Sequence, residues 1–130
     1  MRLAGASLLL SFLAACQPDE TVTKYLQGSE TFVLQSINGA PFKAAASIHL
    51  GEAGKVSGQA PCNSYFAEQS APYPWFELGP IAATKRACPD LDAEQAFFDA
   101  LAMASLVEVS GPILILSNDQ DLEMVFQAEP

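Results

Sequence analysis

Positive charge is scarce in this chain. Six lysines and arginines stand against fifteen acidic residues, a formal net charge of −9. A surface of that sign is repelled by phosphate backbones and by anionic lipid headgroups, so nucleic acid is excluded as a partner. There is a single histidine, His49, with no second ligand at metal spacing beside it. No Cys-x-x-Cys occurs, which removes the spacing of thioredoxin-like redox motifs. Internal repeats and low-complexity tracts are missing too. The longest apolar run, at the start of the chain, is too short to cross about 30 Å of hydrocarbon as a helix. No cofactor is implied by any of this, and the length suits one small domain with one core.

What is there begins with that apolar run. Arg2 supplies a positive n-region and Leu3 to Leu13 an apolar h-region, so residues 1–15 read as a signal peptide. Leu13-Ala14-Ala15-Cys16 resembles the lipobox of bacterial lipoproteins. The resemblance implies that Cys16 is lipidated, that cleavage falls before it, and that the mature chain hangs from a membrane facing the periplasm. Gln17, where retained lipoproteins of enteric bacteria carry Asp, favours the outer membrane. Without Arg2 the mature chain has five basic residues against fifteen acidic ones, a net charge of −10. Attachment must therefore come from the acyl chains, each buried methylene contributing about 0.8 kcal/mol.

With Cys16 lipidated, Cys62 and Cys88 remain, and an even pair in an exported protein reads as a disulfide. Closing that loop contributes about 3.5 kcal/mol in the chain-entropy treatment. The competing reading is a redox-active or nucleophilic thiol.

Residues 16–29 are polar and lack a sustained apolar period. They are expected to form a flexible tether spanning about 20 Å. From Thr31 onward the pattern alternates. Strands are expected from Phe32 to Ile37, ended by the Asn38-Gly39 turn, and from Ala46 to Leu50 and Lys55 to Gly58 as a hairpin across Gly51–Gly54. Trp75–Leu78 and Ile81–Thr84 read as short strands around Gly79-Pro80. Leu106–Val109, Ile113–Ser117 and Leu122–Phe126 complete the set. Between them one helix stands out, with Phe97, Phe98, Leu101 and Ala104 on one face and Glu94 and Asp99 expected on the surface. Asp92 and Gln95 are placed to form a capping box. The fold class is mainly β (α+β), an antiparallel sheet that must curl or close, with the helix over one open end.

These residues also resemble the META domain (HslJ-like) family. Phe32-x-Leu34-x-x-Ile37-Asn38-Gly39 is similar to its opening strand, and Val56-x-Gly58 with Cys62-Asn63-x-Tyr65 to its Gly-x-x-x-Cys-Asn segment. Ile81-Ala82-x-Thr84-x-x-Ala87-Cys88-Pro89 resembles its Thr-x-x-Ala-Cys stretch, followed by Glu94-x-x-Phe97 and Leu101. Gly111-x-x-Leu114-x-Leu116 matches the closing hairpin. Phe32 stands where the family has Trp, Ala60-Pro61 where it has Gly-Gly, and Ala67 where a Gly is common. The resemblance implies a domain over residues 30–128 folded as a small cracked antiparallel β-barrel with one helix. It implies membership among lipoproteins and envelope stress proteins, and no settled catalysis. Similar barrels in secretion pilot proteins take up an acyl chain.

The candidate chemistry is sparse. His49 is flanked by Ile48 and Leu50 and is expected to face away from the side they bury; a Cys62–His49 nucleophilic pair would need a free thiol. Asp119-x-Asp121-x-Glu123 is similar to the start of a calcium loop but lacks its Gly, and reads as a solvated turn. Asn63 is expected to serve its own turn, tolerating left-handed backbone. Lys85-Arg86 is the one adjacent basic pair, open either to an anionic ligand or to neutralisation by Asp90 and Asp92. In Pro72-Tyr73-Pro74-Trp75-Phe76, Trp75 or Phe76 belongs inside and Tyr73 suits a contact surface. The expectation is a non-catalytic envelope module. Its binding surface would draw on Tyr73, Trp75, Lys85 and Arg86, and its partner would be an envelope protein or an apolar ligand.

Overall fold

The computed structural model describes residues 17–130. The expected signal peptide, residues 1–15, and Cys16, where lipidation is expected, lie outside the described residues. Among the described residues there are nine strands and one α-helix. The strands are β1 (Thr31–Ile37), β2 (Ala40–Pro41), β3 (Ser47–Leu50), β4 (Lys55–Gln59), β5 (Ser64–Glu68), β6 (Ala82–Ala83), β7 (Leu106–Ser110), β8 (Ile113–Ser117) and β9 (Glu123–Ala128). Helix α1 spans Leu91–Met103. No helix among these residues is long and apolar enough to cross a membrane.

The strands form one antiparallel sheet ordered β6-β5-β4-β3-β1-β9-β8-β7, with β2 paired to β1 off that path. Alternation carries the core. Phe32 and Leu34, Ile48 and Leu50, Leu114 and Leu116, and Met124 and Phe126 all point inward and are buried, as a sheet with one buried face requires. Asn38 and Gly39 both take positive φ, 52° and 80°, the geometry of a type I′ hairpin turn. Between Leu34 and Ser36 the β1–β9 register shifts, a bulge of the kind that sharpens a strand's twist and helps a sheet curl.

The ladder stays open between its edge strands β6 and β7, so the barrel is cracked. The segment after β5 spans this gap without becoming a continuous strand. The Gly79 N–H donates to the Glu68 carbonyl at 2.8 Å, and Gln69 bridges Leu78. Further along, Phe76 N–H donates to Ser105 at 3.0 Å and Val107 N–H to Pro74 at 2.8 Å. The strand expected over Trp75–Leu78 is therefore a pair of isolated bridges, Trp75 to Leu106 and Leu78 to Gln69. Helix α1 packs on the sheet through Glu94, Phe97, Ala100 and Leu101, with the Phe97 ring edge-on to Tyr65 at 5.6 Å. The expected capping box does not form. The helix starts before Asp92, Asp90 makes no side-chain cap bond, and Gln95 Nε2 donates forward to Asp99 at 2.8 Å.

Two further expectations need correction. Strand β5 pairs along its whole length with β4 although it had not been expected. Its outward residues are Ser64, Phe66 and Glu68 and its inward ones Tyr65 and Ala67, so a large ring outside and a small Ala67 inside blur its hydrophobic contrast. The second is the tether. Residues 22–25 form a 3-10 turn, and Val22 is 0 % exposed and part of the core. Asp19 accepts hydrogen bonds from Thr21 and from the Ala53 N–H at 3.0 Å. Glu20 receives the Tyr73 N–H at 2.8 Å. Thr23 donates to Gly51 at 2.7 Å, and Tyr25 stacks on Tyr73 at 4.5 Å. The buried Val22, the Tyr25–Tyr73 stack and hydrogen bonds from the Asp19 and Thr23 side chains and the Glu20 carbonyl dock what composition alone presents as a loose linker.

Candidate functional site

The far end of the β4–β5 hairpin carries most of the motif residues. Cys62 and Cys88 are joined as a disulfide with Cα atoms 5.7 Å apart, so the paired-cysteine expectation holds and neither sulfur is a free thiol. Next to it lies Asn63, buried, with its amide fully used. Its Oδ1 accepts from Thr84 Oγ1 at 2.9 Å and from Arg86 N–H at 2.6 Å. Its Nδ2 donates to the Arg86 carbonyl at 3.1 Å and to Glu94 Oε2 at 2.8 Å. Two donors and two acceptor positions are satisfied, which is all that this side chain offers. Asn63 thus has a structural role, but not as a left-handed turn residue, since its φ is not among the positive ones.

Glu94 is the residue that sequence reasoning misplaced. It was expected on the helix surface and is 6 % exposed. Its Oε1 accepts from the Cys62 N–H at 3.1 Å and the Asn63 N–H at 2.8 Å. A buried carboxylate without a cation is costly unless hydrogen bonds replace its water, and three do so here. Its place in the first turn of α1 also suits the positive end of the helix dipole. The signal for its burial was present: Glu94, Phe97 and Leu101 fall at i, i+3 and i+7 on one helical face. The Cys-Asn, Thr-x-x-Ala-Cys and Glu-x-x-Phe segments thus converge on one polar node that ties the hairpin, the irregular 84–88 segment and the helix together.

Over this node opens a groove of about 510 Å³. Ile81, Ala83, Leu91 and Phe98 line its apolar part, and Lys85 and Arg86 its basic rim. Both basic side chains are exposed. Neutralisation by Asp90 or Asp92 does not occur: the ion pair found among the described residues is His49 with Glu30, at 3.8 Å. The backbone of Arg86 is locked by Asn63 while its guanidinium is left to solvent. The groove carries two cations without internal partners, on a backbone tied to Asn63.

Tyr73 and Trp75 do not join this groove. Tyr73 is half-buried against the core, and its hydroxyl accepts from the Val109 N–H at 3.4 Å. Its expected role as a contact residue gives way to the stacking on Tyr25. Of the pair beside it, Phe76 is the inside residue at 2 % exposure and Trp75 the outside one at 58 %. His49 faces away from Ile48 and Leu50, as expected, and its Nδ1 is 2.9 Å from Thr31 Oγ1. The 118–122 turn is held by Asn118 Oδ1, which accepts from Gln120 N–H at 2.8 Å and Leu122 N–H at 3.0 Å. No group of three His, Cys, Asp or Glu side chains that could hold a metal occurs among the described residues. Inside the barrel, Phe32, Phe76, Phe97, Phe126 and the aliphatic residues between them are fully buried. Burial also raises the Tyr65 phenol above its usual pKa, and its hydroxyl donates to the Ser47 carbonyl at 2.8 Å.

Fold and node together define a small mainly β domain of the cracked-barrel class. The META domain family model matches residues 24–130, and the chain belongs to that family. Among solved structures it is similar to a protein from Burkholderia xenovorans determined by NMR, with a TM-score of 0.64, 20% identity, and coverage of 88% of this chain and 93% of that one. It is also similar to a DUF4847 family protein from Bacteroides vulgatus ATCC 8482, with a TM-score of 0.68 and 12% identity over 82% of this chain and 97% of that one. A second NMR structure aligns with a TM-score of 0.62 at 22% identity, covering 81% of this chain and 92% of that one. At these identities the likeness is one of fold. No curated relative matches the sequence.

Proposed function

We propose that this META-domain protein is a non-catalytic lipoprotein, anchored through acyl chains on Cys16 and facing the periplasm, with the outer membrane as the favoured site. It serves there as a binding or maintenance module of the envelope. The observation that carries the binding role is the Lys85–Arg86 groove, where two unpaired cations border an apolar floor on an otherwise acidic protein. That combination suits an amphipathic anion, with its charged group at the basic rim and its apolar body along Leu91 and Phe98. The filled barrel interior favours this surface over uptake of an acyl chain into the barrel.

Two experiments test the reading. Cys16→Ala should leave an unprocessed, unacylated precursor by mass spectrometry; normal processing with acyl mass retained would refute the anchor. Dodecanoate titrated into the chain from Gln17 onward should shift the amide resonances of Ala87, Leu91 and Phe98. The shifts should vanish in the K85E/R86E double variant and with dodecanol as the probe. Shifts confined to core residues would instead restore the carrier alternative.

A further inference from the structure

The docked amino-terminal segment fixes an orientation. The β4–β5 hairpin has two ends. At the near end lie Ala53, Lys55, Glu68 and Gln69, joined by the Gln69 N–H donating to Gly54 at 2.8 Å. At the far end lie Gln59, Ser64 and the disulfide. The segment from Gly79 to Thr84 runs antiparallel to β5. Its start is bonded to Glu68 and its end to Ser64, so Lys85 and Arg86 belong to the far end. At about 3.3 Å per residue, β4 alone sets the two ends about 13 Å apart.

Asp19 is bonded at the near end, to Ala53, and the chain behind it is fastened by Glu20, Thr23 and the buried Val22. Cys16 precedes Asp19 by three residues. Three residues reach at most about 11 Å, so a lipid on Cys16 leaves almost no slack between bilayer and domain. A free segment through residue 29 would have allowed the barrel to tumble away from the surface.

We infer that the Asp19–Tyr25 segment is a clasp that seats the barrel directly on the bilayer, with its near rim at Ala53 and Ser70 toward the lipid and the Lys85–Arg86 groove directed away from it. This rests on the lipidation of Cys16 proposed above. At that rim Asp19, Glu20, Glu52, Glu68 and Glu77 outnumber Lys24 and Lys55, a balance that opposes anionic headgroups, so the seat is held by the covalent anchor and is tightest on zwitterionic lipid. The groove is thereby presented to periplasmic molecules and not to lipids of the membrane that carries the protein.

The test uses full-length, cell-processed protein bearing Ser70→Cys or Ala87→Cys, labelled with a bimane and reconstituted into phosphatidylcholine vesicles with a headgroup-linked nitroxide quencher. Mass spectrometry first reads the acyl groups. The label at 70 should be quenched several-fold more than the label at 87. A flexible glycine-serine insert between Pro18 and Asp19, which leaves the clasp intact, should erase that difference. Equal quenching in acylated protein without the insert would overturn the seat while leaving lipidation standing. Protein without acyl mass that stays off the vesicles would overturn both.

Discussion

The two ends of the β4–β5 hairpin are secured by different means. At the far end a covalent bond and a fully bonded Asn63–Glu94 pair hold together three pieces of chain that lie far apart in sequence. At the near end one buried valine, the Tyr25–Tyr73 stack and a few hydrogen bonds hold a segment that local sequence does not make regular. Ordering each residue costs about 1–2 kcal/mol of backbone entropy, while burying Val22 returns about 2 kcal/mol. The near end is therefore the part poised to open, and the far end the part that keeps a fixed surface. Strong ties are concentrated where irregular chain must hold a defined groove.

That contrast can be broken from either side. The largest effect is expected at the far end: Cys62→Ser with Cys88→Ser should cost about 3.5 kcal/mol in urea unfolding, and reduction of the unaltered protein should reproduce it. Glu94→Ala should cost about 3 kcal/mol, because it leaves the Cys62 and Asn63 N–H groups buried without acceptors. Hydrogen exchange should then rise at residues 62–63 with little change at residue 22. Val22→Ala should cost about 2 kcal/mol and show the reverse pattern, with faster exchange and proteolysis in residues 19–26 and an unchanged groove.

A smaller effect is expected at Asp19. The Thr21 hydroxyl lowers its pKa below the ordinary 3.8 against the opposing effect of burial, and the Thr21 and Ala53 amides and Lys24 add to the lowering. A depressed carboxylate stabilises above its unfolded value and loses that contribution as pH falls through the folded one. Acidification below about pH 4 should therefore loosen the clasp first, and Asp19→Asn should flatten that dependence as read by proteolysis of the 19–26 segment. Trp75→Ala should be the mildest, within about 0.5 kcal/mol, since its side chain stands mostly in solvent. A larger loss would place Trp75 in the packing of the β7 edge.

Much of the fold was legible because it repeats locally. The alternation in β1 and β3, the short apolar runs of β8 and β9, the Asn38-Gly39 turn and the Phe97–Leu101 face of α1 each announce themselves within a few residues. Strand β5 escaped because Phe66 points outward and Ala67 inward, inverting the usual size contrast. Glu94 escaped because its charge outweighed its position on the buried stripe. The Lys85–Arg86 pair was visible as a candidate, but its freedom from Asp90 and Asp92 depends on how the 84–88 backbone is held by Asn63.

Gly58 shows the same division, and Gly54 does in part. Nothing in the immediate sequence demands glycine at Gly58, yet a Cβ there would run into the Ser47 carbonyl; Gly54 suits its local turn, where φ is +79°, but a Cβ there would also run into the Gln69 carbonyl. Both clashes are with strands or turns reached only through the folded sheet.

By itself, the order of residues determined the mainly β character, the places where the chain turns, the one helix and the pairing of two cysteines. Those follow from side-chain period, turn chemistry and residue type, which act over short stretches or by elimination. Tertiary structure alone decided that a polar amino-terminal stretch docks, that a helical glutamate goes inward, and that two cations are left without partners beside an apolar floor. Each of these outcomes depends on which distant backbone groups need an acceptor, a donor or a covering side chain once the sheet has curled.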